Sequence, residues 1–565
     1  MTIYSLISIA KEALLLVKSK GFLFVLKKIY FFIFYPEARL FNQNLNEKYR
    51  FRNAGKRIDS SELLKISEAC NQFIYNPLLS VIIPVYNTDL PWLKACINSV
   101  IEQVYSNWEI CIYNDASTKK EIEPFLSELA VKNAQIKVLS GSKNLHISGA
   151  SNAAIAIAQG EFVVLLDHDD LLCKSAFYHI VKELNVDQKL DYIYTNEDKI
   201  EADGSYSFPY FKPNFDRIIL MEQNYLCHLS VIRKSVGDKI GWFREGFEGS
   251  QDYDFFLRLT EQTQNIKHIP RVLYHWRRTG QSTAQTQKNK QYITHTSLLA
   301  LTDALRRNNI EGNIYQCPET GLFQLIPNSN FSFQYTHIFL IKDATSATIK
   351  RLTKMIKIIS VLTPNIIFVG EEKLLVKLAN ITVNKLVIDN QNNFELVFAA
   401  LADLKIEGNI YFQSTDVYFK NYDFLITMAN RLLSKDINVV GCKIITDDNK
   451  LFYSGFERYS SNNLLFKYAG FHAETVGYFL DLVYSKSVTC MLPESIFFKS
   501  EFLESILQNN NLTTETINNK KYAILQNLYG GAILLQNLIV YSKKSLPQSK
   551  PDTDRLIDDL IKKYT

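Results

Sequence analysis

Glycine is scarce in this chain, and none of its 21 glycines is followed two positions later by another. The dinucleotide fingerprint G-x-G-x-x-G is therefore absent, and so is the phosphate loop G-x-x-x-x-G-K-[ST]. H-E-x-x-H is missing too. These gaps remove the commonest dehydrogenase, ATPase and metalloprotease readings. The eight cysteines lie far apart with no C-x-x-C pair, which argues against a disulfide framework or a zinc ribbon and for a reducing compartment. Proline numbers only 14, so a Pro-rich linker protein is excluded. An excess of one charge is also lacking. The formal net charge is +5 over 565 residues, with no dense basic block, and no nucleic-acid partner is expected.

Hydrophobic residues make up 47% and charged residues 21%, ordinary globular usage that fits two or three domains. Residues 1–40 are rich in Leu, Ile and Phe but interrupted by Lys11, Lys18, Lys20, Lys27 and Lys28. No uncharged apolar run there approaches the ~20 residues of a membrane span, and no small-residue cleavage site follows. Two readings stay open: an amphipathic segment on an anionic membrane surface, or a helix packed on the protein's own body. The first would make the protein peripheral, on the cytoplasmic face of a membrane. Residues 42–68 are mostly polar and read as a linker.

The first folded domain starts near Pro77. Residues 78–85, 108–113, 136–139 and 161–166 read as strands, and 92–104 and 148–159 as helices, the second ending at Gly160. The alternation implies an α/β domain with a mostly parallel sheet flanked by helices. Ligands bind outside the carboxyl ends of such strands, where Asp115 and the run Asp167-His168-Asp169-Asp170 fall. Carboxylates crowded after a buried strand need a cation or strong donors. Mg²⁺ or Mn²⁺, hard ions that share carboxylate and phosphate oxygens, would serve; a solvated turn is the alternative.

Residues 80–87, 113–117, 144–152 and 165–170, then 195–199, 211–213, 248–254 and 273–277, together resemble the family 2 glycosyltransferases, in the family's order and over about 200 residues, roughly one domain. The resemblance implies the GT-A fold for residues 76–330, with 1–75 as the N-terminal segment and linker. It implies that Pro84, Val85, Tyr86 and Asn87 line a nucleotide, that Asp115 accepts a hydrogen bond from uracil, and that Asp167, with His168 beside it, lies near the ribose. Asp169 would be the direct metal ligand, His275 would join the metal–diphosphate end, and Asp252 would be the catalytic base. The implied reaction moves a sugar from a nucleoside diphosphate, expected to be UDP, to a surface glycan such as an O-antigen or capsule, whether free or lipid-linked. One base without a second nucleophilic carboxylate fits inversion. Other readings stay open: Asp115 or Asp252 as a helix cap, His168 as a spacer, His275 as a satisfied buried histidine, Asp254 as the base, and Cys227 with His228 as packing. A non-catalytic glycan-binding or scaffold protein is the rival from another class.

Residues 331–565 read as a second GT-A-like domain that has lost its chemistry, or else as an unrelated α/β domain. Residues 335–341, 366–369 and 385–388 read as strands and 345–359 as a helix. Residues 408–416 echo 160–169 and keep only Asp416, while residues 540–542 echo 273–275 with serine in place of the histidine. Acceptor binding or a dimer contact would be its use.

Overall fold

The computed structural model describes residues 37–53, 60–278, 287–310, most of 312–418 and scattered segments, chiefly strands, from 425 to 542. The membrane reading of residues 1–40 falls almost wholly outside them. Among the described residues no helix is long and apolar enough to cross a membrane. The chain forms two compact units, one built on residues 45–328 and the other on 329–556.

The first unit holds strands β1 (Leu79–Val85), β2 (Trp108–Asn114), β3 (Ile136–Ser140), β4 (Phe162–Leu165), β5 (Leu171–Leu172), β6 (Tyr192–Ile200), β7 (Tyr206–Tyr210), β8 (Ser230–Arg233) and β9 (Ile266–Arg277). The sheet runs β3-β2-β1-β4-β8-β6-β9-β5, with β7 on β6. Strands β1 to β4 pair in parallel, as does β6 with β9; β8 is antiparallel to both neighbours. Strand β1 is apolar on both faces because both are covered. Leu79, Val81, Ile83 and Val85 share a core with Leu93, Cys96, Ile97 and Val100 of the helix Leu90–Ile101. Strand order reverses about β1, so β2 and β4 leave it on opposite sides and open a crevice at their carboxyl ends.

The amino ends of the same strands are tied by a buried carboxylate. Glu109 accepts from Ser80 Oγ (2.6 Å) and Gln159 N (2.6 Å), and Lys137 Nζ lies at 2.6 Å. Gly160 N donates to Ser80 Oγ at 2.8 Å. Gly160 does not end a helix, since that helix is His146–Ala156. It is needed for space: a Cβ there would lie 2.5 Å from the Leu78 carbonyl and from Ser80 Oγ. The expected linker also differs. Residues 42–68 are largely helical, in Glu37–Asn53 and Ser60–Cys70, and Leu45, Tyr49 and Ile66 are buried.

The second unit repeats the first sheet strand for strand. Tyr335–Leu340, Ile366–Gly370, Asn384–Val387 and Asn409–Ser414 stand where β1 to β4 stand. Val417–Tyr418, Val439–Thr446, Ser495–Lys499 and Ala532–Ser542 take the places of β5, β6, β8 and β9. Each pairing keeps its sense, parallel or antiparallel. Register agrees as well: Leu171 faces His275 in one unit, and Val417 faces Ser542 in the other. Asp416 follows the carboxyl end of Asn409–Ser414. The end of the chain, residues 543–565, lies outside the described residues.

The second core contains a titratable group. His337 is fully buried, with Nε2 3.2 Å from Gln413 Oε1, and burial lowers its pKa to about 3. Neutral in the fold but protonated below about 6.5 when unfolded, it makes stability fall as pH drops from about 6.5 towards 3, by about 1.4 kcal/mol per pH unit. His337→Gln should remove that dependence. Urea melts at pH 7 and pH 5 should show the stability gap between wild type and variant shrinking by about 2 kcal/mol.

Candidate active site

The carboxylate run lies in the turn between β4 and β5, at the mouth of the crevice. Asp170 is fully buried and accepts from Tyr274 Oη (2.5 Å) and Arg277 N (2.7 Å). Arg277 Nε donates to the Asp169 carbonyl at 2.7 Å. Strand β9 therefore grips this turn at two successive residues. Burial pushes the Asp170 carboxyl well above the usual range, and Asp167 and Asp169 push it further. Asp169 is raised too, first by burial, then by Asp167. Asp167 is the more exposed member, 3.7 Å from His228 Nε2.

Oxygens of Asp167 and Asp170 and a nitrogen of His228 all lie within 4.8 Å of one another, the one such donor group among the described residues. Their chemistry suits a divalent cation: two mutually repelling carboxylates and an imidazole at one point. His228 was read from the sequence as packing. Its ring stacks on Tyr274 at 4.6 Å, its N–H donates to Glu197 Oε2 at 3.3 Å, and its carbonyl accepts from Lys212 Nζ. Lys212 is buried against Glu197 (2.9 Å) and also donates to the Leu226 carbonyl (2.7 Å). That ion pair fixes the 226–228 loop. Burial raises the Glu197 carboxyl, but Lys212 outweighs it and the net shift is downward.

His275 lies outside this donor group. Tyr274 meets Asp170 and His228, whereas His275 is bonded through Nδ1 to Asp198 Oδ1 at 2.6 Å and its ring packs 4.3 Å from Tyr206. Burial opposes its charge, but Asp198 prevails and raises its pKa well above the usual value. Asp169 too stands beside the donor group and not in it, with His168 Nδ1 3.7 Å from its Oδ1. The His168 Nδ1 is buried without a hydrogen-bond partner.

At the carboxyl end of β2, Asp115 is buried and accepts from Leu145 N at 2.6 Å. It caps no helix of its own, because the next helix is Ile122–Lys132 with Glu121 before it. Asn87, at φ +50°, accepts from Thr118 N at 2.7 Å and Lys119 N at 3.2 Å, and donates its own N–H to Ser117 Oγ at 3.0 Å. The loops after β1 and β2 thus form one rim. Tyr86 is exposed on it and Pro84 half-buried. Val85 departs from the reading: its side chain is fully buried in the core, so only its backbone could line a ligand.

Asp252 lies in the first turn of the helix Gln251–Gln262, whose N-cap is Ser250. Its Oδ2 accepts from Asn224 Nδ2 and its Oδ1 from Tyr253 N, each at 2.8 Å. Burial raises its pKa; His228 draws it down and Asp167 pushes it up. The base candidate and the metal-donor group therefore feel one another. Asp254 is excluded as the base: it is fully buried and bonded to Arg244 Nε and Arg258 Nε, each at 3.0 Å.

Residues 80–240 match the family described as "Glycosyl transferase family 2", and this unit carries a family 2 glycosyltransferase domain with the GT-A fold. Over 245 residues the chain is 41% identical to uncharacterized protein y4gI of Sinorhizobium fredii, covering 43% of this chain and 27% of that one. It is 33% identical over 240 residues to the O-antigen biosynthesis protein RfbC of Myxococcus xanthus, covering 42% and 19%. It is 31% identical over 222 residues to the chondroitin synthase of Pasteurella multocida, covering 38% and 23%. The chain thus spans about a quarter or less of the length of these relatives.

The two aspartates of the helix Gln251–Gln262 should separate cleanly by stability. Asp254→Asn leaves two arginines short of a buried partner and should cost about 3 kcal/mol or more in a urea melt. Asp252→Asn keeps its shape and should cost about 1 kcal/mol or less.

Proposed function

We propose that this protein is a metal-dependent, inverting glycosyltransferase that moves a sugar from a UDP-linked donor to a cell-surface glycan acceptor. The observation that carries the reading is the meeting of Asp167, Asp170 and His228 at one point, with Asp252 within electrostatic reach. In this reading Asp115 and the 84–87 rim hold the nucleotide, with Asp167 and His168 beside the ribose. Asp167, Asp170 and His228 hold Mn²⁺ or Mg²⁺, with Asp169 adjoining. When bound, the ion would neutralise charge developing on the diphosphate. Asp252 takes the proton of the acceptor hydroxyl as its oxygen bonds to the anomeric carbon. The carbon–phosphate oxygen bond breaks and its electron pair leaves on the diphosphate. A carboxyl raised by burial is the better proton acceptor near neutrality. The relatives' printed roles in O-antigen and chondroitin synthesis support a polysaccharide acceptor.

In the second unit we propose a non-catalytic role, in acceptor binding or a dimer contact, since Ser542 stands where His275 does and Asp416 alone remains of the carboxylates. Residues 1–40 are proposed to hold the protein on the cytoplasmic face of a membrane.

Melting temperatures with UDP, GDP and dTDP, each with and without Mn²⁺, test the donor; UDP with Mn²⁺ should give the largest rise. Asp252→Asn should cut turnover by roughly 10²–10⁴-fold with donor affinity retained. His228→Ala should abolish the Mn²⁺-dependent part of UDP binding. Normal Mn²⁺-dependent binding in His228→Ala would overturn the donor set.

A further inference from the structure

The helix Glu37–Asn53 is pinned to the first unit along one face. Asn46 Oδ1 accepts from Phe208 N at 2.6 Å, and Arg50 Nη2 reaches Asp203 Oδ2 (3.2 Å) and Ser205 Oγ (2.9 Å). Between them Tyr49, 2% exposed, packs edge-on against Phe211 and donates its hydroxyl to Asp198 Oδ2 at 2.7 Å. Positions 46, 49 and 50 are one helical face. Their targets are the β6–β7 hairpin and the residue just after it.

Asp198 is itself 1% exposed, and its other oxygen accepts from His275 Nδ1. A carboxylate so removed from water is held by its donors. Tyr49 thus completes a chain from the helix through Asp198 to His275. His275 lies on β9 between Tyr274 and Trp276, and β9 is the strand that grips the carboxylate turn through Tyr274 Oη, Arg277 N and Arg277 Nε.

We propose that Tyr49 is a positioning residue for the transferase site. Through Asp198 and His275 it fixes the end of β9, and with it the 167–170 turn. The inference rests on the donor reading above and adds to it a segment of chain far from the family-matched residues 80–240. Outer-shell partners of metal ligands are worth about 10–100-fold in metal affinity; Tyr49 stands further out, so a smaller effect is expected.

The test measures UDP binding to the full chain by calorimetry in saturating Mn²⁺, with Tyr49→Phe beside wild type. The variant should bind UDP about three- to tenfold more weakly, and its apparent Mn²⁺ affinity should fall in step. Its melting temperature should fall by about 2–4 °C, the cost of one hydrogen bond in a domain this size. A merely structural Tyr49 would lower the melting temperature but leave the affinity of the folded fraction at the wild-type value, and that result overturns the inference alone. A wild-type chain that binds none of UDP, GDP and dTDP would overturn the donor reading, and this inference with it.

Discussion

Like charges crowded at the end of a buried strand are the constraint around which the first unit is organised. Asp167, Asp169 and Asp170 follow β4, and at Asp169 and Asp170 burial and the neighbouring carboxylates both disfavour ionisation. The fold answers with donors carried on other elements. Strand β9 brings Tyr274 and Arg277 to Asp170. The loop before β8 brings His228, and the buried Lys212–Glu197 pair sets that loop. A buried ion pair adds little net stability on average; here its geometry locates a backbone segment.

The parallel half of the first sheet, β1 to β4, was legible because its strands are short apolar runs ended by polar residues, as parallel strands with both faces covered read; β5 to β9 were not read as strands. Asp252, Asp115 and the carboxylate turn were singled out as candidates by motif order. His228 was not. Nothing in its neighbours, Cys227 and Leu229, marks it as facing the site; a loop held by Lys212 decides that. Nor does spacing along β9 say which of its side chains meet the carboxylate turn: Tyr274 and Arg277 do, while His275 bonds to Asp198. The helix within 42–53 was not legible because it is mostly polar and buries only Leu45 and Tyr49 of its described positions.

The second unit shows how much of the architecture persists when the charges go. Strand order, pairing sense and the register of the last strands repeat. Its core is built on the corresponding strands: Ile338, Leu340, Phe412, Ile496 and Phe498 share one cluster. Backbone pairing and apolar burial are enough to specify this sheet, and the acidic turn is an addition to it.

The Glu109 hub lies at the other end of the strands. Ser80, Gln159, Gly160 and Lys137 converge on it at the amino ends of β1, β2 and β3, a strand's length from the carboxylate turn. The bonds that tie the strands together and the crowded carboxylates therefore sit on separate residues at opposite rims of one sheet, and a substitution at one rim leaves the contacts of the other in place.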